Sequence, residues 1–262
     1  MAERSFTESV SPATMVAVAS RPTSPSGLQH AASRRGGGVF VLLGPPGAGK
    51  GTQARTLAHD RGLIHLATGD LLRKLVASDA PLGQTLKGFM DAGELVPDGL
   101  VSQILLEAIE REDAAAGFIV DGFPRTIAQA EVFDAALEQR GGAAPRAVLI
   151  DVPDKTLVDR LTGRRICEQQ GHEFHVTFLP PAQAGVCDHD GSALIRRPDD
   201  EPATIARRLS IYHDVTEPLI AYFEKQDRLV RVDGQGDPAA VQAELASAIS
   251  QPDAAESRPD GR

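Results

Sequence analysis

The chain has 262 residues, 42% of them hydrophobic, which suits one domain with insertions better than two independent cores. A net charge of −9, no Trp and only two Tyr argue against a general nucleic-acid binder, which needs basic surplus and stacking platforms. No apolar run approaches the ~20 residues of a bilayer-crossing helix, and Cys167 and Cys187 alone make no secreted disulfide framework; the expectation is a cytoplasmic protein with no membrane or nucleic-acid partner.

Residues 1–37 are rich in Ser, Ala, Pro and Gly and carry neither strand nor helix period, so they read as a disordered extension, or as an upstream start with Met15 as an internal alternative. Four Arg and two Glu there echo a transit peptide, but without its amphipathic pattern. Residues 251–262 read as a second disordered tail. Between the tails, short apolar runs alternate with longer amphipathic ones, the pattern of an α/β domain with a mostly parallel sheet. Buried strands are expected at 39–43, 117–120, 147–150 and 229–232, with 63–66 a weaker fifth. In such sheets ligands sit beyond the carboxyl ends of the strands, so the residues following each run come under scrutiny first.

The first strand runs into Gly44-Pro45-Pro46-Gly47-Ala48-Gly49-Lys50-Gly51-Thr52. This is a phosphate-loop pattern with its Ser/Thr displaced by one residue. Glycines let the backbone turn its N–H groups inward, the following helix offers its positive end, and Lys50 supplies a mobile charge. A plain Gly-rich turn is the bland alternative, and the Lys together with the flanking strand and helix disfavours it. The loop alone does not choose among kinase, NTPase and switch.

Further along come Ala67-Thr68-Gly69-Asp70-Leu71-Leu72-Arg73, then Asp121-Gly122-Phe123-Pro124-Arg125-Thr126 with Gln129, then Arg160-Leu161-Thr162-Gly163-Arg164-Arg165. From 163 to 200 the α/β rhythm breaks, with Gly and Pro interruptions and a brief alternation at 173–178. This reads as an inserted small β element, and such inserts often cover active sites. A helix is expected from Thr204 to Phe223, packing the core, with Tyr212 and His213 structural.

Taken with the Gly-Lys-Gly-Thr form of the loop, these segments closely resemble the adenylate kinases, in the long-lid form, over about residues 38–250. The resemblance implies a parallel-sheet P-loop nucleotide kinase core, a lid at 163–200 and a helical monophosphate-binding segment at 67–96. It implies reversible phosphoryl transfer from MgATP to AMP, giving two ADP, by a monomer. Gly47, Ala48, Gly49, Lys50, Gly51 and Thr52 would hold ATP, with Arg160 and Arg164 on its phosphates. Glu173 and Phe174 would touch its adenosine, Phe174 standing where the family usually has a hydroxyl-bearing aromatic, and Gly236 would complete the ATP site. Thr68, Arg73, Glu94, Leu95, Val96, Gly122, Phe123, Pro124, Arg125 and Gln129 would bind AMP, Arg73 and Arg125 clamping its phosphate and Gln129 reading the adenine edge. Arg197 and Arg208 would bridge donor and acceptor, and with Lys50, Arg125 and Arg164 they form the catalytic set.

The chemistry agrees. Bringing two nucleotides together crowds their phosphates, and in-line transfer needs charge neutralisation and positioning more than a base. Arginine suits this work, since its planar fork bonds two oxygens at once and stays charged. Asp121, at a strand end, is expected as an outer-shell partner for Mg²⁺, which keeps its waters; a turn residue closing the strand is the alternative. Some members of the family hold the lid with zinc; the corresponding positions here are Cys167, Gln170, Cys187 and Asp190. Gln170 is a poor zinc ligand, although His172 and His189 lie close in sequence. A polar hydrogen-bond cluster without metal is therefore favoured over structural zinc. Three rivals stay open: a UMP, CMP or GMP kinase, which Gln129 and the long lid disfavour; a nucleotide-binding switch, which has no need of a second phosphate clamp; and an ATPase acting on water.

Overall fold

The computed structural model describes residues 38–78, 81–112 and 117–250; the two tails expected from the sequence lie outside these. Five strands form one parallel sheet in the order β2-β3-β1-β4-β8: β1 (Val39–Leu43), β2 (Ile64–Ala67), β3 (Phe118–Asp121), β4 (Arg146–Asp151) and β8 (Leu229–Asp233). All four firm strand expectations are met within a residue or two. The weak fifth is real, lying one residue later than expected. Every residue of β1 is buried, as a strand with helices on both faces must be.

The helices between the strands are α1 (Lys50–Arg61), α2 (Thr68–Ala77), α3 (Pro81–Ala92), α4 (Asp98–Arg111), α5 (Ile127–Gln139), α6 (Asp154–Gly163) and α9 (Pro238–Ser250). One face of the sheet packs Val41, Val120 and Leu149 against Leu105, Phe133, Leu219 and Phe223; the other packs Leu42, Ile119 and Ile150 against Leu57, Leu157, Ile205 and Leu245. The side chains at successive strand positions alternate between these two cores, which explains why the strands read as continuous apolar runs.

The insert carries a small antiparallel sheet of β5 (Arg164–Cys167), β6 (Glu173–His175) and β7 (Leu194–Ile195), in the order β6-β5-β7. Its own core is Cys167, Phe174 and Cys187 with Leu194. A 3₁₀ turn at Pro198–Asp200 leads back into the main body. The single helix expected from 204 to 223 is instead α7 (Pro202–Ile211), a π-type turn at Tyr212–Thr216 and α8 (Pro218–Glu224). Pro218 begins α8 at a position where it has no interior hydrogen bond to forfeit.

Candidate active site

The parallel order brings the carboxyl ends of β1 and β3 side by side, Leu42 pairing with Asp121. The glycine loop therefore lies next to the segment beginning at Asp121. Gly44 has φ +141°, and a Cβ there would stand 2.6 Å from the Ile150 carbonyl oxygen, so the chain can make this turn only with glycine. A Cβ at position 51 would meet Asp121 Oδ2 at 3.2 Å, a physical reason for Gly where the usual pattern has Ser or Thr. The displaced Thr52 remains in the first turn of α1.

Lys50 folds back over the loop, its Nζ donating to the carbonyl oxygens of Gly44 (2.7 Å) and Pro45 (2.9 Å). Burial lowers its pKa to about 8; Asp121 works against the shift, while Arg125, Arg208 and Arg164 add to it. Lys50, Leu95, Gly122, Pro124, Arg125 and Arg208 line one cleft. The sequence-predicted donor and acceptor groups thus face each other. Glu94 lies beside this wall, held by Arg207 Nη2 at 2.5 Å, and Val96 is buried in the core below it.

On the acceptor side, Thr68 opens α2, and its hydroxyl donates to the Asp121 carbonyl at 3.2 Å. Arg73 pairs with Asp70 at 2.5 Å. Burial would raise the Asp70 carboxyl, but Arg73 holds it below the ordinary value. Arg125 donates from Nε to the Gly122 carbonyl at 2.9 Å; burial and then Arg208 lower its pKa. Phe123 is 1% exposed and meets the edge of Phe133. Gln129 is 2% exposed: its Oε1 accepts from the Arg125 backbone N–H and its Nε2 donates to Asp98, both at 2.7 Å. Each end of the amide retains one further bonding capacity.

The lid arginines gather above the loop. Asp200, fully buried, receives Arg164 through Nε (2.7 Å) and Nη2 (2.6 Å) and Arg208 through Nη1 (3.1 Å). Arg208 also contacts Asp199 at 3.0 Å. Arg197 donates to Glu173 at 3.0 Å, while its Nε is buried with no partner among the described residues. Burial, then Arg164 and Arg73, push Arg197 down to about 10. Arg160 donates to the Gly234 carbonyl at 2.8 Å, joining α6 to the loop after β8. Gly236 is exposed in that loop.

Phe174 lies in the interior of the lid. Its ring is 6% exposed and lies inside the lid core with the two cysteines, 6.0 Å from the His189 ring, so little of it is offered to a base. The residue before it on β6, Glu173, reaches the main body instead, accepting from Thr52 Oγ1 (3.0 Å) and Arg55 (3.1 Å).

In the lid, Cys167, His172, Cys187 and Asp190 bring one ligand atom each to within 4.8 Å of one another. His172, not Gln170, completes this group; Gln170 contributes a backbone N–H to Cys167 Sγ at 3.2 Å. The same atoms form the polar cluster expected without metal: Cys167 Sγ lies 3.0 Å from Asp190 and 2.9 Å from Ser192 Oγ, and Cys187 Sγ lies 3.4 Å from His172 Nδ1. Two Cys, one His and one carboxylate form a donor set that suits tetrahedral zinc.

Several further residues at the site have little signature in the sequence. Asp199 and Asp200, directly after Arg197-Pro198, are the counterions of the lid arginines; their place beside a basic pair was the available clue. Asp98 anchors Gln129. Tyr212 and Thr216, in the π-type turn, line the cleft; burial and then Glu217 raise Tyr212 to about 12. His65, on β2, has a buried Nε2 without a partner among the described residues.

Residues 42–228 match the adenylate kinase family model. Curated relatives named adenylate kinase include those of Syntrophobacter fumaroxidans, 46% identical over 77% of this chain and 95% of the relative, and Caldicellulosiruptor bescii, 44% identical over 80% and 98%. The Clostridium tetani protein is 43% identical over 74% of this chain and 90% of its own length. With its loop, arginine cluster and lid inside the matched span, this chain belongs to the adenylate kinase family.

Proposed function

We propose that the cleft between the glycine loop and the 122–125 segment is where this enzyme transfers a phosphoryl group from MgATP to AMP, as a cytoplasmic monomer. The overall reaction is that of its family, ATP plus AMP giving two ADP, and no helix among the described residues is long and apolar enough to cross a membrane. The observation that supports the assignment of parts is the crowding of partly buried cations around the loop. Neighbouring guanidinium groups add to the lowering of Lys50, Arg125, Arg197 and Arg208, while Asp200 raises Arg164, and Arg197 keeps a buried Nε with no partner among the described residues. Asp199, Asp200 and Glu173 offset part of this charge, and the phosphates of a bound nucleotide would offset more.

In this reading, the loop N–H groups, Lys50 and Thr52 hold the donor phosphates, with Arg160 and Arg164 beside them, while Gly236 borders the ATP site. Thr68, Arg73, Arg125 and the walls at Glu94–Val96 and Gly122–Pro124 hold AMP. The free capacity of Gln129 reads the adenine edge. Arg197 and Arg208 neutralise the charge that develops between the two nucleotides, and closure of the lid excludes water. Asp121, beside Gly51 at the end of β3, would hold the waters of Mg²⁺, which supplies further neutralisation of the phosphates when bound. Cys167, His172, Cys187 and Asp190 would hold zinc in a purely structural role that fastens the lid hairpin. The proton on the acceptor needs no side-chain base, because the attacking phosphate oxygen is already ionised at neutral pH.

The test is ATP formation from ADP alone, with Mg²⁺ and protein free of contaminating kinase. Equal production of ATP and AMP, lost in Lys50→Ala and in Arg125→Ala variants that still fold, is the expected result. Full turnover in both variants would remove the assignment of the site. A panel of AMP, UMP, CMP and GMP as acceptors checks the role of Gln129.

A further inference from the structure

An amide that reads a base reads either of two opposite edges, depending on which way round it sits. Its oxygen accepts, its nitrogen donates, and the two ends have nearly the same shape. For Gln129, the groups behind the amide decide the matter. Oε1 accepts from the Arg125 backbone N–H and Nε2 donates to Asp98 Oδ1, both at 2.7 Å. A backbone N–H only donates, and a carboxylate oxygen only accepts. Turning the amide over would set oxygen against oxygen at Asp98 and N–H against N–H at Arg125, at a residue only 2% exposed, where water cannot make good the loss.

Asp98 is itself held in place. It is the first residue of α4 and lies 31 positions from Gln129. Its other oxygen, Oδ2, accepts from Thr126 Oγ1 at 2.7 Å, and that hydroxyl oxygen accepts from the Gln129 backbone N–H at 3.1 Å as the cap of α5. The bonds therefore run in one sense, from a backbone N–H through the hydroxyl to the carboxylate. Tying the starts of α4 and α5 together would by itself serve only stability. The bond from Nε2 adds something else, a fixed polarity for the amide.

We propose that Asp98 is a positioning residue that sets base choice: by holding the Gln129 amide one way round, it admits a purine with an amino group at position 6 and a bare N1, and rejects one with a carbonyl at position 6 and a proton on N1. The inference rests on Gln129 facing the acceptor base, as proposed above. Adenine offers a donor at position 6 and an acceptor at N1, which match the lone pair left on Oε1 and the N–H left on Nε2. Hypoxanthine and guanine offer the reverse. They meet acceptor against acceptor and donor against donor, unless the amide turns over and gives up both of its bonds to the protein. Asp98 acts through Gln129 and not on the phosphates, so its effect falls on the choice between bases rather than on phosphoryl transfer.

The experiment measures kcat and KM of the full chain with MgATP and either AMP or IMP, which differs from AMP only at this edge of the base. The wild-type enzyme is expected to favour AMP in kcat/KM by about a hundredfold or more. Asp98→Asn keeps the shape and lets the side chain present an N–H to Gln129, which releases one of the two restraints on the amide. It is expected to raise kcat/KM for IMP outright and to narrow the AMP-to-IMP ratio by about tenfold, with the change for AMP lying in KM rather than kcat. Thr126→Val removes the cap of α5 but leaves Asp98 Oδ1 against Nε2; it is expected to lower the thermal midpoint and to keep the ratio within about twofold. A parallel loss for both acceptors in Asp98→Asn with the ratio unchanged, or an equal narrowing in Thr126→Val, overturns the inference and leaves Asp98 a structural tie. Gln129→Leu separates this inference from the one beneath it. If that variant keeps the wild-type ratio, or if the wild-type enzyme does not discriminate, Gln129 does not read the base and both fail; if its ratio collapses while Asp98→Asn keeps the wild-type value, only the role of Asp98 fails.

Discussion

Removing the carboxylate of Asp200 is expected to destabilise the protein and disable the lid arginines together. The side chain is fully buried and receives three charge-assisted hydrogen bonds, two from Arg164 and one from Arg208. Breaking a buried ion pair by deleting one partner costs about 3–5 kcal/mol, because the other charge is left uncompensated. Arg164 and Arg208 retain 18% and 20% side-chain exposure, and water can partly recover them, so the lower end, about 3 kcal/mol, applies to Asp200→Ala. At about 2–4 °C per kcal/mol for a chain of this size, the thermal midpoint should fall by roughly 6–12 °C. Asp200→Asn keeps the shape and one acceptor oxygen and should cost less, about 2 kcal/mol. Unfolding should be followed by circular dichroism at neutral pH, and turnover measured in both variants well below their midpoints. There kcat is expected to fall by about tenfold or more, since Arg164 and Arg208 lose the group that orients them. A loss below about 1 kcal/mol with turnover intact would refute the view that Asp200 organises the lid arginines.

With Lys50 lowered to about 8 by burial, binding the phosphates of ATP should restore its proton. Calorimetry in buffers of different ionisation enthalpy should then show uptake of about half a proton at pH 8, absent in Lys50→Arg; equal uptake in the two proteins would refute it. His213 accepts no such ligand but pairs with Glu217 (2.7 Å) and Asp154 (3.0 Å), and the Glu217 hydrogen bond leads the rise in its pKa. A raised folded pKa contributes stability that is complete below the unfolded value and is lost as pH rises through the folded one. Because the pair is exposed, His213→Ala should cost only about 0.5 kcal/mol at pH 6 and nothing measurable at pH 9, by denaturant unfolding. In the lid, about one zinc per chain is expected by metal analysis, lost in His172→Ala and retained in Gln170→Ala; the opposite pattern would exclude His172 as the fourth ligand.

The sheet was legible because its strands are buried on both faces, so β1, β3, β4 and β8 stand out as apolar runs without periodicity conflicts. The glycine loop was legible because its chemistry is local: glycines, Lys50 and a helix start lie within nine residues. Pairings across the sequence were harder to see. Glu173 to Thr52, Asp200 to Arg164 and Gln129 to Asp98 span 121, 36 and 31 positions, and no spacing rule connects them. The burial of Phe174 was not legible, because an aromatic on a short alternating strand can face either side; it fills the interior of the small lid with Cys167, Cys187 and Leu194. The break of the long helix at Tyr212 left only Pro218 as a sequence trace, since a π-type turn needs no glycine or proline of its own.

The two ends of the lid are fastened to each other at its base. Arg164, its first residue after α6, and Asp200, its last before α7, form a bidentate pair, so the main body carries the 35 residues between them as a loop already closed at its base. Closure entropy grows only slowly with loop length, and here much of it is met by that one pair. The insert is thereby a part set apart from the sheet: with the arginine and the aspartate at its base kept, the length and fastening of its hairpin bear on the main body mainly through the Glu173 contacts to Thr52 and Arg55.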